Sequence, residues 1–141
     1  MTSIKIKETL IKYADTFFGV TPVLFAYLYG SYAVHQTHPF SDLDIAVYLK
    51  KPLTTREIMK LEMGLSLEMD KRFPGGPSSD VRTINHMPLA VAGSVIKEGL
   101  LIDCLDDDTR IDYEMIVRRS YFDFLLFIKQ YQRMYIERIY T

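Results

Sequence analysis

The chain has 141 residues, 48% of them hydrophobic, with 17 Lys plus Arg set against 18 Asp plus Glu. That length suits one ordinary domain with a real core, spanning 1–141. The near-cancelled charge disfavours a protein that binds nucleic acid directly, since tracking a phosphate backbone calls for a basic excess. Read in chain order, residues 4–18 place Ile6, Leu10, Tyr13 or Ala14, and Phe17 at helical spacing, and Gly19 stops that helix. Residues 23–29 are continuously apolar and aromatic, as in a buried strand that ends at Gly30-Ser31. Pro39 breaks any helix begun in the connection that follows. Residues 42–49 alternate and are rich in strand formers, and Lys50-Lys51-Pro52 closes them. Thr54 followed by Glu57 is a capping-box pattern, and the helix it starts carries Ile58, Leu61, Leu65 and Met69 on one stripe. After the turn Pro74-Gly75-Gly76-Pro77 come a strand over 80–85, a helix over 88–98 and a strand over 100–105. From 109 on the chain reads as one long helix or two. The order predicts an α/β or α+β fold, with one mixed sheet of about four strands flanked by helices and a C-terminal helical segment.

The chemistry concentrates in Gly30-Ser31-Tyr32-Ala33 and Ser41-Asp42-Leu43-Asp44. Two carboxylates at i and i+2 of a strand leave from the same face, about 7 Å apart. Neighbouring carboxylates repel, and keeping both ionised calls for a cation. Magnesium prefers one or two carboxylates plus water and substrate phosphates. Glycine at a strand end lets the backbone approach a phosphate closely, and the next N–H groups can point at it. Anion site and cation site on adjacent strands describe a metal–nucleotide pocket; the plain alternative is a strand-end turn with a solvated acidic pair. A two-metal site needs a third acid. Asp80, opening the next strand, is the first choice and Asp103 the second. Arg82 shares a strand face with Asp80, and two roles stand open for it: touching a phosphate, or pairing with a carboxylate.

At these residues the sequence resembles the minimal nucleotidyltransferase (MNT) family of the polymerase-β superfamily. The likeness runs from about 23 to 105: a strand, GSYA, SDLDIAVYL, a helix, an acidic strand, then NHMPLAVAGSVIKEGLLI. It implies a polymerase-β-like nucleotidyltransferase fold, with the C-terminal helices (about 109–140) beyond the catalytic core. It implies that Asp42 and Asp44 bind metal, that the third acid falls on Asp80, and that Gly30 and Ser31 hold the triphosphate. Such proteins are often antitoxins that silence a HEPN-domain ribonuclease toxin by moving AMP from ATP to one of its tyrosines. Resemblance therefore implies two Mg²⁺ ions, ATP as substrate and a HEPN toxin as acceptor. Two other functions stay open: transfer to a small hydroxylated molecule such as an aminoglycoside, and neutralisation of the toxin by binding alone. One departure is that Val34-His35 stand where many relatives have arginine and glycine. Kanamycin-type relatives add a helical domain that builds the acceptor pocket; here the core uses up nearly the whole chain, which favours an acceptor carried by another protein.

The remaining features read more plainly. Cys104 excludes an internal disulfide and suits a small buried hydrophobe in its apolar run. Residues 121–128 are apolar almost all round a helix, with Tyr131, Tyr135 and Tyr140 beyond them; core packing and a partner surface are both open. His35 and His38 read as loop residues, His86 as a helix-start residue, and Asp106-Asp107-Asp108 as acids at a helix N-terminus. The first eight residues lack the apolar segment of a signal peptide, and no apolar stretch approaches the roughly 18 residues of a membrane span, so a cytoplasmic protein is expected.

Overall fold

The computed structural model of the chain describes residues 3–34, 37 and 41–140. His35, His38 and Pro39 lie outside them. The elements follow one another as α1 (Ser3–Lys12), α2 (Ala14–Phe18), β1 (Val23–Tyr29), β2 (Leu43–Leu49), α3 (Thr55–Arg72), β3 (Ser79–Thr83), α4 (Leu89–Glu98), β4 (Leu100–Cys104) and α5 (Asp107–Tyr140), with single 3₁₀ turns at Gly30–Tyr32 and Ile84–His86. The four strands form one mixed sheet in the order β3-β2-β1-β4. β1 runs antiparallel to β2 and β4, and β2 runs parallel to β3.

Strand alternation sorts the apolar residues into two layers. Leu43, Ile45, Val47 and Leu49 of β2 face one side, where they meet Ile6 and Leu10 of α1, Phe17 and Phe18 of α2, and Leu65 and Met69 of α3. Ala46 and the half-buried Tyr48 face the other side, where α4 supplies Ala92, Val95 and Ile96 and α5 supplies Val117. There Phe25 stacks on Tyr48 at 4.4 Å, and Tyr113 tilts against both rings. Tyr27 donates its hydroxyl to Glu114 at 2.6 Å, so the first third of α5 is fastened as well as packed. Asp106 caps that helix by accepting from the Thr109 N–H and hydroxyl, the role expected of the acidic run.

Several boundaries differ from the sequence-based expectation. The first helix breaks at Tyr13, whose φ of −102° and ψ of 13° interrupt the spiral. The break re-aims the short second helix, which buries Ala14, Phe17 and Phe18 against the sheet. Strand β3 stops at Thr83 rather than 85, because Asn85 uses its side chain instead of its backbone: the Leu49 N–H donates to Oδ1 at 2.9 Å, and Nδ2 donates to the Leu49 carbonyl at 3.2 Å. Cys104 is half-buried rather than fully enclosed, paired with Phe25 of β1 at the edge of the second layer. Burial raises its thiol pKa.

α5 is one helix of 34 residues, about 50 Å long. Gly93 of α4 lies directly beneath the Tyr121 ring, and a side chain there would collide with it. Beyond that crossing the core reading of the tail fails. Phe122, Phe124, Leu125, Leu126, Phe127, Tyr131 and the apolar residues after them are 37–81% exposed.

The edge strand β3 is completed by side chains. Asp70, Ser66 and Glu62, four residues apart on α3, accept from the N–H groups of Ser79, Val81 and Thr83 at 2.7, 3.1 and 2.7 Å. One helical step of four residues rises about 6 Å and one strand step of two residues about 6.7 Å, so the two periods match across the ladder. Glu62→Ala should therefore cost about 1–3 kcal/mol by orphaning a buried N–H. Phe127→Ala, on the uncovered tail, should stay within about 0.5 kcal/mol. Urea denaturation of both variants checks this, and equal losses would argue against the ladder.

Candidate active site

The parallel register of β2 and β3 sets Asp44 beside Asp80, and the antiparallel register of β1 and β2 sets Tyr29 on the other side of Asp44. These three residues form a row across the sheet, with adjacent strands about 4.8 Å apart. Alternation turns all three toward the α4–α5 side, and Asp42, two residues before Asp44, joins that face just ahead of the strand. Between the two acids the Leu43 N–H donates to the Ser78 carbonyl at 2.8 Å, pinning the start of β2 to the start of β3.

Gly30 links the turn after β1 to the acids. Its φ is +72°, and a Cβ at this position would run into Oδ2 of Asp44 and lie 3.4 Å from Cγ. Only glycine both takes this conformation readily and leaves the carboxylate its place. The 3₁₀ turn over Gly30–Tyr32 then folds back, with the Ala33 N–H on the Gly30 carbonyl at 3.1 Å. The first N–H groups of such a turn have no partner within it. Gly30, Ser31 and Val34 line a cavity of about 520 Å³ whose opposite wall is α4, with Val91, Ser94 and Glu98.

The row is strongly anionic. Burial, then Asp80, then Asp42 raise the Asp44 carboxyl to about 6, against a smaller lowering by Arg82. Burial, then Asp44 and Asp80, push the Tyr29 phenol up to about 12. Arg82 pairs with Asp80, Nε to Oδ2 at 3.1 Å, which is the carboxylate-pairing role of the two open to it. Asp103 is removed as a candidate: it sits on β4, across β1 from the acids, where burial and Asp15 of α2 raise its pKa. Among the described residues no three His, Cys, Asp or Glu side chains gather closely enough to hold a metal as they stand. The donor set nonetheless fits a hard divalent cation: Asp42, Asp44 and Asp80 offer only carboxylate oxygens on one face, and Asp44 is destabilised by the other two.

Residues 5–108 match the sequence family described as "Polymerase beta, Nucleotidyltransferase". The chain belongs to this nucleotidyltransferase family. No curated protein matches it. Solved structures share the fold at low identity. A chain of a toxin–antitoxin crystal structure with AMP-PNP is 17% identical at a TM-score of 0.60, covering 96% of this chain and 98% of its own. One from the tri-AMPylated Shewanella oneidensis HEPN toxin in complex with MNT antitoxin is 14% identical at 0.58, covering 96% and 99%. One from the toxin–antitoxin MntA–HepT is 13% identical at 0.58, covering 95% and 99%.

Two features escaped the sequence reading. Tyr29 looked like one more residue of an apolar strand, although alternation from Phe25 and Tyr27 would have set it beside the acids. The α3 ladder leaves only a weak trace, polar Glu62, Ser66 and Asp70 at steps of four. Gly30→Ala should reduce nucleotidyl transfer by at least about 100-fold through displacement of Asp44, since misplacement by about 1 Å costs that much. Transfer of radiolabelled nucleotide by the purified variant checks it; near-normal rates would detach Gly30 from the site.

Proposed function

We propose that this nucleotidyltransferase acts in the cytoplasm as an antitoxin, moving AMP from ATP to a tyrosine hydroxyl of a partner HEPN-domain toxin. The observation that carries this reading is the row of acids, Asp44 beside Asp80 with Asp42 on the same face, abutting the Gly30–Ser31 turn. Support for the nucleotide and the acceptor comes from solved structures of the same fold, one with AMP-PNP and one with a tri-AMPylated HEPN toxin beside its MNT antitoxin.

Asp42, Asp44 and Asp80 would hold two Mg²⁺ ions, which when bound neutralise phosphate charge and make a hydroxyl more acidic. In this reading Ser31 and the backbone N–H groups of the 3₁₀ turn hold the outer phosphates and stabilise the departing pyrophosphate. Asp80 orients the acceptor hydroxyl toward the α-phosphate. Arg82, the counter-ion of Asp80, takes up a phosphate oxygen once nucleotide binds. Val34 cannot supply the charge that arginine in its neighbourhood gives many relatives, so Arg82 is the cation nearest the acids on this side of the sheet among the described residues.

The test is the intact mass of HEPN-domain proteins from the source genome, each co-expressed with the natural chain and with the Asp42→Asn, Asp44→Asn double variant. Whole-AMP increments should appear on an acceptor with the natural chain alone. Toxicity suppressed equally by both chains without any increment would replace transfer by binding-only neutralisation. Turnover of a free aminoglycoside, with no protein modified, would make the acceptor a small molecule.

A further inference from the structure

We propose that the groove outside β3 is the acceptor subsite and that it receives the tyrosine side chain of the partner protein; this rests on the transfer reading above. The groove encloses about 810 Å³ between α3 and the segment running from β3 into α4. Its walls include Met59 and Met63 of α3, Asp80 and Arg82 of β3, and His86 of the turn beyond.

The argument for position comes from the order of the strands. In the transfer, the phenolic oxygen forms a bond to the α-phosphorus while the bond from that phosphorus to the oxygen bridging toward the β-phosphate breaks. Pyrophosphate leaves with the bonding pair, and the phenolic proton passes to a carboxylate or to solvent. The forming and breaking bonds lie in line on opposite sides of the phosphorus. Gly30 and Ser31 follow β1, Asp44 lies on β2 and Asp80 on β3, in a sheet ordered β3-β2-β1. With the outer phosphates at the β1 end, the attacking group must come from beyond Asp80. What lies beyond Asp80 is this groove, whose own wall Asp80 and Arg82 form. The 520 Å³ cavity at Gly30 and Ser31 is left for the phosphates.

The lining argues for the occupant. Glu62 and Ser66 already accept β3 N–H groups, which leaves Met59 and Met63, 59% and 64% exposed, beside Thr55 and Ile58 as the α3 side chains at the opening. Thioethers adapt their shape and favour contact with aromatic ring edges. The Arg82 guanidinium adds a cation for a ring face. An aminoglycoside would need hydrogen bonds along its whole length, including the stretch that Met59 and Met63 occupy. A phenol asks for one, at the end nearest Asp80.

The experiment measures steady-state transfer from ATP to the HEPN-domain protein found modified, using the full chain and its Met59→Ala, Met63→Ala double variant. Both side chains are exposed, so the fold tolerates their loss. The acceptor KM should rise about tenfold, a loss of about 1.4 kcal/mol, with the KM for ATP changing less than twofold. Leu67→Ala, exposed on α3 outside the groove, should leave both constants unchanged. An unchanged acceptor KM in the double variant overturns the subsite alone. An ATP KM that rises as much as the acceptor KM makes the groove a nucleotide site and overturns it too. Absence of protein modification by the natural chain overturns this inference together with the proposed function.

Discussion

The parallel pairing of β2 with β3 is the constraint on which the rest depends. It alone sets Asp80 beside Asp44, since the two acids are 36 residues apart and share no other contact segment. β3 is a five-residue edge strand, and such a strand has a neighbour on one side only. α3 supplies the missing side with Asp70, Ser66 and Glu62, at a spacing that follows the strand. A neighbouring strand would have closed the edge as well. It would also have covered the groove outside Asp80, the proposed acceptor subsite, whereas side chains reach the N–H groups and leave the surface open. The same device blunts a template for unwanted strand pairing.

Much of this was legible in the sequence, and the parts that were not have physical reasons. The shared face of Asp42 and Asp44 could be read because spacing constrains it locally: i and i+2 on a strand share a face whatever surrounds them. All four strands and the Thr54 cap followed from apolar runs, alternation, turn signals and capping chemistry, and the Thr54 hydroxyl does accept from Glu57 N–H at 3.2 Å. Boundaries failed where a side chain competes with the backbone. Asn85 satisfies Leu49 by its amide and so ends β3 early, and nothing in the local pattern separates that from two more strand residues. Arg82 was undecidable because strand alternation gives its face but not its partner. The tail was undecidable for the opposite reason: a helix apolar all round says that it must be covered, and says nothing about whether its own chain does so. Gly93 beneath Tyr121 marks where that covering stops.

The electrostatics of the row explain why the site is built at this place and not on the better-packed part of the sheet. Asp44 is half-buried beside two like charges, a cost to the folded chain that Arg82 offsets only partly. Active sites commonly accept such strain, and the surrounding structure must hold it in place. Here the holding is distributed. Leu43 is fastened to Ser78, Leu49 to Asn85, and the Phe25–Tyr48–Tyr113 rings anchor the far end of the same strands. The acids therefore sit at the open end of strands whose other end is clamped by aromatic packing.

That arrangement gives the transfer a direction. The Gly30–Ser31 turn that follows β1 and Asp80 on β3 lie on opposite sides of the β2 acids, and a mixed sheet cannot exchange them without rebuilding the crossover through α3. The proposed placement of nucleotide on one side and acceptor on the other then follows from strand order, independent of which acceptor is used. On the proposed subsite, what a particular acceptor needs is decided outside the sheet, by the side chains that α3 turns toward the opening. Met59 and Met63 lie there one helical turn apart, free of the ladder because Glu62 and Ser66 carry it. A change of acceptor therefore requires only that this exposed face of α3 be rewritten, while the acids, the glycine turn and the ladder that holds β3 stay as they are.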